Sequence, residues 1–140
     1  MNINRDNILN FIIKNKFNIL PVIIWTVVVS VAAFHHEIWR DEARPWFFLA
    51  DDSFVSLCNR IRYDGHPYLW YFILLPFQKA GLPYYTIQIV SIFIVFSGVL
   101  LFVLKSPFNF LFKCFFLFSA SMIYYLPVIA RNYALVPFFL

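Results

Sequence analysis

Two stretches of this chain run without a single charge: Phe17 to Phe34, 18 residues, and Ala80 to Leu104, 25 residues. As helices they would be about 27 and 37 Å long, and runs of about 17–25 residues suffice for the roughly 30 Å hydrocarbon core of a bilayer. A water-soluble chain of 140 residues could not bury so much apolar surface. The rest of the composition agrees: 62% of residues are hydrophobic and 13% charged, where a soluble domain carries about 25% charged. Nineteen Phe, eight Tyr and four Trp suit lipid and its interfaces. The expected fold class is therefore all-α, a polytopic helical membrane protein.

The segments around these runs set the expected topology. Residues 1–16 are polar and carry Arg5, Lys14 and Lys16, which places the N-terminus in the cytoplasm and the protein in the plasma (inner) membrane. Val31 and Ala33 sit like a signal-peptide cleavage site, but the polar segment and the apolar run are both long for a signal peptide. His66 to Gln78 is apolar but only 13 residues long, about 20 Å of helix, and reads as an interfacial or re-entrant segment. Cys114 to Ala130 predicts a third span. The spans are thus placed at about 17–34, 82–104 and 110–130, with another starting over 134–140 and an external loop at about 35–81. Lys and Arg divide into five inside and six outside, so charge alone does not fix the orientation. The run from Ala134 has no polar tail, so a continuation beyond Leu140 is expected.

The net charge of +4 comes from single basic residues scattered around apolar segments. They form no patch, which argues against nucleic acid. The two cysteines, Cys58 and Cys114, fall in the loop and at the start of a span, so no disulfide framework is implied. There is no CxxC and no zinc spacing.

Every acidic residue except Asp6 lies within residues 35–66. In this loop Ala43, Trp46, Phe47, Ala50, Phe54, Leu57, Cys58 and Ile61 recur at helical spacing. They predict one or two amphipathic helices lying on the membrane surface. Pro45 suits a first helical turn, and Asp51, Asp52 and Ser53 can end one short helix and cap the next.

Four places in the sequence can carry chemistry. Asp41 and Glu42 stand about seven residues past the first span, where low dielectric can fit a carboxylate to act as a general base; the plainer alternative is a solvated helix start. Asp64-Gly65-His66-Pro67-Tyr68 reads as a tight turn followed by a helix, from which Asp64 and His66 project. Arg131-Asn132-Tyr133 sets an arginine between apolar spans, where such residues face a cavity or pair with an anion; snorkelling at a helix end is the alternative. His35-His36-Glu37 could hold a metal, but neighbouring side chains on a helix diverge. No metal ligand is assigned.

Taken in order, Trp39-Arg40-Asp41-Glu42-Ala43, the amphipathic stretch, Asp64-Gly65-His66-Pro67 and Ala130-Arg131-Asn132-Tyr133-Ala134-Leu135 resemble the membrane-embedded GT-C glycosyltransferases. The likeness is to bacterial members similar to protein O-mannosyltransferases and lipid A aminoarabinose transferases, and it covers roughly residues 17–140. It implies many transmembrane helices, an active site in the first external loop, and inverting transfer of a sugar from a polyprenyl-phosphate donor to an extracytoplasmic lipid, glycan or protein. By that resemblance Asp41 is the general base and Glu42 orients the site. His66 matches a His-Pro motif near acceptor or donor, with Asp64 beside it. Arg131 and Tyr133 match an Arg-x-Tyr element near the carrier phosphate. Arg40 is assigned to substrate, and Arg40 and Arg44 flank Asp41 and would keep it ionised if they pair with it. Arginine can stabilise a monophosphate leaving group, so no cofactor is required and a divalent metal is not supported.

Family members are several times longer, and this chain lacks the second proline of the His-Pro motif, having Tyr68 instead. An N-terminal fragment of such an enzyme is therefore expected. The alternative from another class is a non-enzymatic accessory or flippase-like subunit of a surface-polysaccharide system.

Overall fold

A computed structural model describes residues 5–50 and 53–139, with side chains from Phe17 onward. Among the described residues all regular structure is helical. The helices are α1 (Arg5–Phe34), α2 (Arg40–Phe48), α3 (Phe54–Asp64), α4 (Tyr68–Lys79), α5 (Thr86–Lys105), α6 (Phe110–Leu117) and α7 (Val136–Phe139). A π-helical turn (Ser121–Tyr125) and a 3-10 turn (Asn132–Leu135) lie between the last two.

Two of these helices are long and apolar enough to cross a membrane: Phe17–Phe34 within α1, and α5. They pack on each other through one stripe each. On α1 the buried positions are Val22, Trp25, Val29 and Ala33. On α5 they include Ile87, Val95, Val99 and Val103. The three- and four-residue spacing is that of one helix face. The other faces remain apolar and uncovered: Phe17, Ile23, Val27 and Val31 on α1, Ile89, Phe93 and Leu101 on α5.

At one end of this pair α2, α3 and α4 pack together. Trp46 and Leu49 meet Leu57, Ile61, Trp70, Tyr71 and Leu74 in the same continuous core. Two helices thus occupy the predicted amphipathic stretch, but their faces differ from the expected ones, since Phe47 and Phe54 point outward. The expected α2 start also shifts. The helix begins at Arg40, so Pro45 lies inside it rather than in its first turn. Ser53 caps α3, its hydroxyl accepting the Ser56 N–H; Asp51 and Asp52 lie outside the described residues. Gly65 closes α3 in the left-handed conformation at φ 74°, which favours glycine. Pro67 then precedes α4, whose 12 residues span about 18 Å, short of a bilayer core.

The stretch expected as a third span is not one continuous helix. α6 ends at Leu117, and the chain then takes the π turn and runs irregularly to Arg131. The carbonyls this break frees find side-chain donors. Trp25 Nε1 donates to Met122 O at 2.9 Å, Ser91 Oγ to Leu126 O at 3.3 Å, and Gln88 Nε2 to Val128 O at 3.4 Å. Lys113, expected as a topology marker, is buried, and its Nζ donates to Val103 O at 2.8 Å. It thereby caps the negative C-terminal end of α5. Gly98 lets α7 approach: a Cβ there would lie 3.0 Å from the main chain of Pro137.

Candidate functional site

The acidic pair on α2 is divided by helix geometry. Consecutive residues on a helix point about 100° apart, so Asp41 and Glu42 face different surroundings. Glu42 is fully buried. Its oxygens lie 3.1 and 3.2 Å from His36 Nε2. They also accept the Ala130 N–H at 3.0 Å and the Trp39 N–H at 3.4 Å. The last contact is the return half of a capping box for α2. The His36 side chain is buried too, and its Nδ1 lies 3.0 Å from the Tyr124 hydroxyl. Glu42 thus joins the linker after α1, the start of α2 and the irregular segment, and it sets the main chain immediately before Arg131.

Asp64 anchors a second cluster. Its side chain is wholly inaccessible. Arg44 Nε lies 3.1 Å from Oδ1, an ion pair between α2 and α3. Oδ2 takes His66 Nδ1 at 2.8 Å and the hydroxyl of Tyr71 from α4. Burial and this hydrogen bond to a carboxylate push the Tyr71 phenol well above its usual pKa. The other ring nitrogen of His66, Nε2, lies 3.3 Å from Arg131 Nη2.

Both clusters therefore end on Arg131. Its main chain follows the Ala130 amide held by Glu42, and its side chain is held by His66. The guanidinium lies over the Tyr133 ring, 5.7 Å from its centroid. Its Nε is buried and has no hydrogen-bond partner among the described residues. Beside it opens a cavity of about 260 Å³ lined by Trp39, Asp41, Tyr125, Leu126, Arg131 and Tyr133, among others. Asp41 is exposed there. A larger groove of about 560 Å³ lies between α5, α6 and α7, but its lining is apolar and aromatic, with Lys105 as its one ionisable group. A site needs convergent polar groups, and the smaller cavity has them.

Several expected roles change with this geometry. The cavity brings Asp41, Arg131 and Tyr133 together. Glu42 reaches its wall, but its carboxylate is occupied inside the protein. Asp64 is not presented from the turn; its oxygens are taken by Arg44, His66 and Tyr71. His66 touches Arg131 and is not part of the cavity lining. Arg40 is exposed and makes no ion pair with Asp41 among the described residues, and Arg44 reaches Asp64 instead. His35 turns to Val31 O at 2.9 Å, away from His36. Among the described residues no group of three or more His, Cys, Asp or Glu could hold a metal ion. Tyr71 and Tyr124 were not singled out by the sequence, and His36 was weighed only as a metal ligand. Each partner lies on a different element; the steps from His36 to Glu42 and from Asp64 to Tyr71 are six and seven residues, while His36 and Tyr124 are 88 positions apart.

An acidic group and an arginine donor facing one small cavity can accept a proton and hold an anion. No protein-family model matches the chain, and no curated protein or solved structure shows significant similarity to it.

Proposed function

We infer that this chain forms part of a membrane-embedded glycosyltransferase that uses a polyprenyl-phosphate sugar donor and an acceptor outside the cytoplasm. The observation that carries this reading is that Arg131, whose buried Nε–H has no protein acceptor among the described residues, lines one cavity with the exposed Asp41. A buried donor left unpaired costs about 1–3 kcal/mol, and an anionic oxygen would remove that cost. The Nε and Nη2 edge of a guanidinium matches two oxygens of a phosphate. The uncovered apolar faces of α1 and α5 suit lipid, and a lipid carrier would reach the site from there.

In this reading Asp41 takes the proton of the acceptor hydroxyl. The hydroxyl oxygen attacks the anomeric carbon, and the bond from that carbon to the phosphate oxygen breaks. Arg131 stabilises the charge that gathers on the departing phosphate. Tyr133 braces the guanidinium, while Glu42 and His66 fix it from behind.

The test uses the full-length protein in native membranes, supplied with a radiolabelled polyprenyl-phosphate sugar. Arg131→Ala is expected to reduce transfer by about 100-fold or more, as for the loss of one electrostatic donor. Transfer at the wild-type rate in Arg131→Ala would reject the reading. No transfer by either protein, with donor still bound by the wild type, would favour the accessory-subunit alternative.

A further inference from the structure

The contact between His66 and Arg131 fixes a protonation state as well as a position. A guanidinium has no acceptor and a carboxylate no donor. His66 must therefore direct an Nδ1–H to Asp64, at 2.8 Å, and an Nε2 lone pair to Arg131 Nη2, at 3.3 Å. The ring is neutral in this arrangement. A second proton, on Nε2, would turn the acceptor into a donor facing a cation.

We propose that His66 is a positioning residue for Arg131, and that the anion site takes up a proton on His66 when it fills. The proposal rests on Arg131 holding a phosphate. With the cavity empty, a protonated His66 loses its contact with Arg131 and two positive charges adjoin. An anion beside Arg131 accepts the guanidinium hydrogen bonds and offsets both charges. Linkage is reciprocal, so protonation of His66 must tighten anion binding by the factor with which the anion favours the proton.

The groups around His66 support this assignment. Asp64 faces it from the end of α3 and is paired with Arg44 of α2. Tyr71 of α4 shares the same carboxylate and stays neutral, its pKa raised by burial. Arg44 and Arg131 keep their charge at any ordinary pH. Asp41 faces the cavity from α2. Histidine is the side chain suited to changing charge between about pH 5.5 and about pH 8.

The probe is a dialkyl phosphodiester, whose single negative charge is constant over that range. Its binding to full-length protein in nanodiscs is measured at about pH 8 and about pH 5.5. Wild type is expected to bind about fivefold more tightly at the lower pH. His66→Gln keeps an oxygen that can accept from Arg131 but cannot take up a proton, so its two affinities should agree within about twofold. Arg131→Ala should lose binding at both pH values. A flat profile in wild type, or a His66→Gln variant that keeps the gain, overturns the proposal and leaves the anion site standing. Equal binding by Arg131→Ala and wild type removes the anion site and the proposal with it. A second measurement needs no ligand and no variant: the ¹⁵N shifts of the His66 ring at about pH 8 should show the proton on Nδ1, and a proton on Nε2 would overturn the proposal.

Discussion

The two long helices α1 and α5 and the broken segment from Phe118 to Arg131 are all largely apolar, yet they meet the demands of the backbone in opposite ways. Along the interiors of α1 and α5 most peptide groups are satisfied within the helix, and side chains are left to pack. From Phe118 onward the helical ladder is interrupted, and the chain depends on donors and acceptors from elsewhere. Trp25 comes from α1, Gln88 and Ser91 from α5, and Glu42 from α2. An apolar surrounding offers no water to take their place, so irregular backbone survives there only where protein groups or a cavity satisfy it. The same dependence brings polar side chains to one place, and Arg131 lies at the end of that segment. A regular third span would have satisfied its own backbone and left Arg131 without Glu42 behind it.

The comparison breaks most severely at Glu42. Glu42→Ala leaves the Ala130 amide and His36 without an acceptor, a loss of about 3–5 kcal/mol for a broken buried pair. The expected result is a sharp drop in the amount of folded protein recovered from membranes. Wild-type abundance would mean that the irregular segment holds its shape without the carboxylate.

Tyr71→Phe tests the cluster on the other side of Arg131 and should cost about 1.5–3 kcal/mol, the range for a hydrogen bond to a charged group. The pH dependence follows from the raised Tyr71 pKa. A folded-state pKa above the unfolded value contributes stability that is fully present below about pH 10 and is lost as pH rises beyond it. Denaturation measured from neutral to strongly alkaline pH should show the two proteins converge only above about pH 10. A constant difference across that range would contradict the Tyr71–Asp64 contact.

Trp25→Phe removes one donor from the irregular segment and keeps most of the packing. It should cost about 1 kcal/mol, seen as a fall of a few degrees in the melting temperature. Hydrogen exchange should rise around Met122 and stay unchanged in the first half of α5. Equal loosening of both would deny the distinction between the two regions.

The regular part of the fold was legible in the sequence and the broken part was not. The charge-free runs mark α1 and α5 because crossing length and absence of charge are local properties. Ser53 and Gly65 mark the ends of α3 for the same reason: a cap and a left-handed turn are written in one or two residues. The interruption after Phe118 carries no such mark, since the groups that support it lie far off; Trp25 and Met122 are 97 positions apart. The site is mixed in the same way. Asp41, Arg131 and Tyr133 were expected together and do share a cavity. Glu42 was expected beside Asp41 in function, but its chemistry is set by the Ala130 amide, 88 positions away. Asp64 was expected to project, and it is enclosed because Arg44 and Tyr71 reach it from neighbouring helices.

The division between Asp41 and Glu42 is the central claim, and one paired measurement tests it. Asp41→Asn and Glu42→Gln would be expressed in the full-length protein, and sugar transfer and protein abundance would be measured side by side in native membranes. Asp41→Asn should be present in normal amount with transfer lost, and Glu42→Gln should be depleted while the protein that remains still turns over. Undiminished transfer by Asp41→Asn, or normal abundance with no transfer in Glu42→Gln, would contradict the account.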